Sequence, residues 1–231
     1  MLRALLTLPL LLAPLPAFAQ RTDEQLWLAA NASAPVGDGA RLTLESIGRF
    51  SDRAGGFFHS EFGALGSLTV AKGIEIAAGY RHVEDWDHGR ALPNEERLRQ
   101  MITIALGKRF AARMRVEQRF NSSGSGVGVR VRPQLRFTLP LAEKGPTLFA
   151  THEDFLNVND TRWGQRSGYE RMRNAIGVTV PLAKRLSTDI GYLNQYRFGR
   201  RGARDQMDHA LTLTLSLTLD GLFSGHHGDA D

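Results

Sequence analysis

From Leu211 to Leu219 the chain alternates without a break: Leu211, Leu213, Leu215, Leu217 and Leu219 are separated by Thr212, Thr214, Ser216 and Thr218. A helix would scatter those five leucines around its circumference. A strand places them all on one face and the hydroxyls on the other. The same two-residue period recurs along most of the chain, and elsewhere it carries charge. In 128–139, Val129, Val131, Pro133, Leu135, Phe137 and Leu139 oppose Arg130, Arg132, Gln134, Arg136 and Thr138. In 112–120, Met114, Val116, Gln118 and Phe120 oppose Arg113, Arg115, Glu117 and Arg119. Comparable faces run through 41–45, 74–81, 97–110, 171–180 and 189–198.

A soluble sandwich alternates too, because each of its strands buries one face. Two features favour a barrel in a membrane. The apolar faces persist for five or six positions, close to the ~9–11 residues a tilted strand needs to cross a bilayer. The polar faces stack Arg and Glu, which suits a wet or salt-bridged lumen. Tyr80, Tyr192, Tyr196, Phe110, Phe120 and Phe198 are expected near strand ends, where interfacial aromatic girdles form. Short connections at 71–73, 110–112, 141–145 and 182–185 alternate with longer polar ones at 51–56, 84–94, 121–126, 157–168 and 199–206. That is the pattern of inner turns and outer loops.

The spacing therefore predicts an all-β fold, a transmembrane antiparallel up-and-down β-barrel of about 10–12 strands. Eleven strands are counted, the first at 25–32. Single-chain bacterial barrels have even numbers, so parity points to ten or twelve, with twelve preferred. A turn at 35–39 would start the first strand on the outer side.

Residues 1–19 read as a signal peptide. Arg3 precedes an apolar run from Leu5 to Ala13, and Ala17-Phe18-Ala19 sets small residues for cleavage after Ala19. The run is shorter than the ~20 residues of a spanning helix, and prolines interrupt it. The expected organisation is a signal peptide at 1–19, a barrel domain at 20–223 with Phe223 near its end, and a polar tail at 224–231. The expected location is the bacterial outer membrane. Its lipid and lipopolysaccharide would surround the wall, and the barrel-assembly machinery would act during biogenesis. The chain has no cysteine, which excludes thiolate metal sites.

Against 24 acids stand 29 Lys and Arg, a net charge of +5. Nucleic acid is not the expected partner, because the arginines interleave with apolar residues and leave no exposed basic groove. They are expected inside. Arg113, Arg115, Arg119, Arg130, Arg132, Arg136, Arg171 and Arg173 face Glu45, Glu61, Glu75, Glu117 and Asp189 across the lumen. Paired, they form a plug. Unpaired, they attract a small anion, or make the barrel a small anion-selective porin.

Catalytic alternatives are thin, and no catalytic residue, metal or cofactor is assigned. A lipid-modifying enzyme, an acyl hydrolase or transferase, would need a nucleophile beside a base. His59-Ser60-Glu61 has the ingredients, but adjacent strand residues point to opposite faces, so Ser60 turns away from its neighbours. His82, Glu84, Asp85, Asp87 and His88 make a denser group that reads as a solvated outer loop. His226-His227 beside Asp229 and Asp231 read as part of the tail. Gly124-Ser125-Gly126-Val127-Gly128 lacks the Lys-Ser/Thr of a phosphate-cradling loop.

The order of local motifs resembles the bacterial family known as domain of unknown function 2490. The matching residues are Asp23-Glu24-Gln25-Leu26-Trp27, Glu45, Gly79-Tyr80, Asn94-Glu95-Glu96-Arg97 and Arg115-Val116-Glu117-Gln118-Arg119. They continue with Arg130-Val131-Arg132, Glu153-Asp154-Phe155, Arg173, Gly191-Tyr192 and Gln195-Tyr196. The resemblance implies an outer-membrane barrel and supplies no activity.

Overall fold

The computed structural model describes residues 21–200 and 202–220. The expected signal peptide, Phe223, the tail and its histidines lie outside the described residues. Twelve β-elements follow in chain order: β1 (Arg21–Gly37), β2 (Ala40–Ser51), β3 (Gly56–Ala71), β4 (Ile74–Asp87), β5 (Arg90–Ala91), β6 (Glu95–Leu106), β7 (Phe110–Asn121), β8 (Gly128–Pro140), β9 (Thr147–Asn157), β10 (Gly168–Ala183), β11 (Leu186–Arg197) and β12 (Gln206–Thr218). The two-residue β5 pairs only with the end of β4, inside a loop. The other eleven each pair with the next and close on themselves.

Eleven is an odd number, and that corrects the expectation of twelve. In an up-and-down barrel every strand reverses the one before it, so an odd count ends on a strand running the same way as the first. β1 and β12 accordingly pair in parallel, from Arg21↔Gln206 to Ser33↔Thr218. All ten other barrel pairings are antiparallel. Parity failed as a guide because closure requires only that edge backbone groups find partners, and a parallel ladder supplies them.

One end of the barrel carries the connections 38–39, 72–73, 107–109, 141–146 and 184–185. The other carries 52–55, 88–94, 122–127, 158–167 and 198–205. At the turn end, Gly39 (φ 68°) and Gly73 (φ 76°) take the left-handed backbone that such tight reversals need. The contrast in length is weaker than expected, since 141–146 matches 122–127. β1 starts at the loop end, as the 35–39 turn implies, and with an odd strand count so does β12.

Alternation sorts the side chains. Leu211, Leu213, Leu215 and Leu217 are exposed on the outer wall, together with Leu44, Ile76, Leu98, Leu135, Leu148 and Ile176. Aromatic rings gather at both rims. Phe110 packs on Phe137 at the turn end, with ring centroids 5.1 Å apart. At the loop end Phe57 touches Phe50 and Trp86, and Phe198 touches Tyr169 and Tyr196. Tyr80 and Tyr192 sit nearer mid-strand than expected.

The interior is inverted, with charged side chains in place of an oily core. Arg99, Glu117 and Asp208 are among its most deeply buried groups. A small apolar cluster of Trp27, Leu193 and Ala210 lies beside them. Gly177 and Gly191 face inward, and the Phe149 ring lies against their bare backbone, leaving no room for a side chain at Gly177.

Candidate functional site: the arginine-lined lumen

Strand register places the charged side chains before any pairing is considered. Glu117 on β7 stands beside Arg130 on β8 and Arg99 on β6, and Arg115 stands beside Arg132. Glu117 is the hub. Arg130 donates to it through Nη2 at 2.6 Å and Nε at 2.9 Å, Arg132 through Nη1 at 2.7 Å, and Arg115 approaches at 3.5 Å. Arg132 also reaches Glu153 at 2.8 Å, which accepts from Arg113 at 2.7 Å. Toward β2–β4, Glu61 binds Arg49 at 3.0 Å and Arg81, while Glu45 binds Arg81 at 2.9 Å and Arg99 at 2.5 Å. Charge-assisted bonds of this kind offset the desolvation that burial imposes on each ion.

Of the residues expected inside, all eight arginines line one cavity of about 620 Å³, as do Glu45, Glu61 and Asp189. Glu117 lies just behind the wall. Glu75 is not part of this arrangement: it is exposed at the second position of β4, at the turn end, with no ion pair among the described residues.

Sequence reasoning missed several carboxylates of the network, among them three bonded to arginines of the cavity wall. Glu153 is one. Glu95 accepts from Arg119 at 2.6 Å and from Arg97, and Glu170 pairs with Arg171. Their strands lack long alternating runs at those positions, so the charge pattern did not flag them. The aromatic partners were missed too. Four guanidiniums, those of Arg130, Arg132, Arg171 and Arg173, surround the Phe155 ring at 4.2–5.4 Å, and Arg49 and Arg173 flank Trp27 at 4.0 and 4.8 Å. Stacking on π faces stabilises cations where carboxylates run short.

At the loop end a second cavity, of about 950 Å³, shares Asp85, Arg119 and Arg197 with the first, and two loops fold around it. In loop 158–167, Gln165 is buried, accepts from Arg119 at 3.0 Å and donates to the carbonyls of Val129 and Asn159. Trp163 lies over Arg119 and bonds the Gly126 carbonyl. In loop 198–205, Asp205 accepts from the Tyr196 hydroxyl and, at 2.7 Å, from the Gly199 N–H. These donors hold its carboxyl below the usual range. Toward the turn end, short polar side chains such as Asn31, Thr151, Thr212 and Thr214 line the cavity.

The two histidine clusters divide by face. His59 points inward, with Nδ1 2.5 Å from Asp85 and Nε2 2.8 Å from Glu61. Ser60 is on the opposite face, paired with Glu84. His82 stands on the outer wall between Glu84 at 2.9 Å and Glu96 at 2.7 Å. Asp85 therefore belongs to the lumen and His82 and Glu84 to the wall. No His, Asp and Glu group with metal-binding geometry occurs among the described residues.

With the fold in hand, the comparison with known families is direct. The family model described as a protein of unknown function (DUF2490) matches residues 24–207, from the start of β1 to the start of β12. The chain belongs to the DUF2490 family. An uncharacterized protein of Methylorubrum extorquens is 32% identical over 199 residues, covering 84% of this chain and 86% of the relative. The family match spans the barrel from β1 to the first residues of β12.

Proposed function

We propose that this DUF2490 protein is an outer-membrane β-barrel whose lumen is closed by its arginine–carboxylate network and serves as a binding interior for small anions. The observation that carries this reading is the pairing of an apolar, solvent-exposed outer wall with a buried, ion-paired inner one. A water-soluble protein does not expose apolar surface on every strand. A bilayer favours that surface and requires every backbone group to be satisfied internally, as closure achieves. The aromatic rims at both ends suit the two interfaces. Such a location is consistent with export after cleavage at Ala19 and with a surrounding of lipid and lipopolysaccharide.

Two measurements test the reading. The outer-membrane fraction, run unboiled and boiled on a denaturing gel, is expected to show a mobility shift. The purified barrel in a planar bilayer is expected to give no steady open-channel current. Large, stable currents would instead make it a small anion-selective porin, and recovery from the soluble periplasm would overturn the membrane assignment.

A further inference from the structure

The pairing of the lumen's charges is incomplete, and the deficit has a location. The cavity wall carries twelve arginines and four carboxylates, Glu45, Glu61, Asp85 and Asp189. Five further acids, Glu95, Glu117, Glu153, Glu170 and Asp208, reach those arginines from behind it. Arg99, also behind the wall, shares Glu45, so thirteen arginines against nine acids leave four cations uncompensated.

Arg173 is the clearest of them. No carboxylate lies within ion-pair distance of it among the described residues. Its Nε donates to the Gln195 side-chain oxygen at 2.7 Å, and Gln195 is held by its own bond to buried Asp208 at 2.6 Å. Among the described residues, neither Nη nitrogen of Arg173 has a protein acceptor. The guanidinium carbon lies 4.8 Å from the Trp27 ring centroid and 4.6 Å from that of Phe155, and both rings are shared with other arginines, Arg49 at Trp27 and Arg130, Arg132 and Arg171 at Phe155. Arg115 and Arg136 on the same cavity wall are nearly as bare, with their carboxylates at 3.5 and 3.7 Å.

Building on the anion-binding reading of the lumen, we propose that Arg173 is the centre of a binding site for a phosphate-type oxyanion. A guanidinium anchored through Nε and packed on two rings, with both Nη groups unbonded among the described residues, presents the fork of parallel donors that two oxygens of one oxyanion accept. A surplus of four positive charges exceeds what a monocarboxylate neutralises and suits a dianion. The cavity is large enough for the phosphate to carry an organic substituent.

The test is calorimetric titration of the detergent-solubilised, gel-shifting barrel with inorganic phosphate, glycerol 3-phosphate and acetate. Both phosphates are expected to bind at least tenfold more tightly than acetate. Similar affinity for the two would assign the site to free phosphate, and tighter binding of the ester to a phosphomonoester. Arg173→Gln is expected to weaken phosphate at least tenfold while keeping the gel shift, Arg173→Lys to weaken it less, and Arg185→Ala, at the exposed turn, not at all. If the Gln variant does not fold, the Lys variant decides. Absence of phosphate binding by the folded wild type, or undiminished binding by the Arg173 variants, would overturn the site. The gel shift and bilayer current judge the closed membrane barrel separately, so either reading can fail alone.

Discussion

Arg132 and Glu117, on neighbouring strands β8 and β7, form the central bond of the lumen: Nη1 donates to Oε1 at 2.7 Å, with both side chains almost fully withdrawn from solvent. Glu117 simultaneously answers Arg130 and Arg115. The network is thus a set of acids each shared among several cations, and removing one acid does more than removing one bond.

Glu117→Gln should therefore be among the most damaging conservative changes in the protein. It leaves three buried guanidiniums without their shared counter-ion, and breaking a buried pair from one side costs about 3–5 kcal/mol. Arg132→Ala, which deprives both Glu117 and Glu153, should fall in the same range. Arg115→Ala should cost less, because its only ion-paired carboxylate among the described residues is 3.5 Å away. Urea unfolding of the barrel refolded into lipid vesicles checks the order. Equal stability of all three variants would reject the network as a source of stability.

Gly177 tests a different kind of contact. A Cβ built there would stand 2.4 Å from the Ile190 carbonyl oxygen and 2.6 Å from the Phe149 ring. Gly177→Ala should destabilise by about 1–3 kcal/mol or more through overpacking. Gly66, where a Cβ meets nothing closer than 3.8 Å, should accept alanine with little effect. The two unfolding midpoints, measured side by side, decide the matter.

Which features could be read from the sequence follows from how local their physics is. Alternation depends on neighbours two residues apart, so the 128–139 and 112–120 segments revealed both their faces and their inward arginines. Pairing depends on register between strands, which no single strand encodes. Glu75 carries the right charge on the right face, yet sits too near the turn end to meet an arginine. Glu153 and Phe155 occupy the centre of the lumen, but lie on a strand whose outer face includes His152 and Asp154, so its alternation is blurred. Trp27 meets Arg49 across the β1–β2 pairing, and the folding of β10 across the lumen brings Arg173 to the same ring. The strand count of eleven was legible from the beginning and was set aside for parity, a rule about other barrels and not a force acting in this one.

The two faces of β12 should respond oppositely to charge. Leu213 is on the outer wall, and Leu213→Arg should cost about 2–4 kcal/mol if that position lies near the bilayer midplane. Thr214, one residue on, faces the lumen opposite Asp189. Thr214→Arg gains an acidic partner there and should be tolerated far better. Equal folding yields for the two variants in lipid vesicles would count against the membrane assignment.

The parallel seam makes a prediction that no even-stranded barrel shares. Ala30 is the partner of Leu215 and Leu26 the partner of Leu211, so the offset between β1 and β12 is constant along the seam. In an antiparallel closure, residues farther along β1 would meet residues earlier on β12, and those two pairs could not both be in register. The chain has no cysteine of its own, so introduced pairs report without interference. Ala30→Cys with Leu215→Cys, and separately Leu26→Cys with Leu211→Cys, should each form a disulfide on mild oxidation, since paired strands bring their Cα atoms within bridging range. Ala30→Cys with Leu211→Cys, four positions out of register, should not. Cross-linking of the mismatched pair, or of only one matched pair, would show that the barrel closes in some other way. It would also reopen the strand count that places both β1 and β12 with their first residues at the loop end.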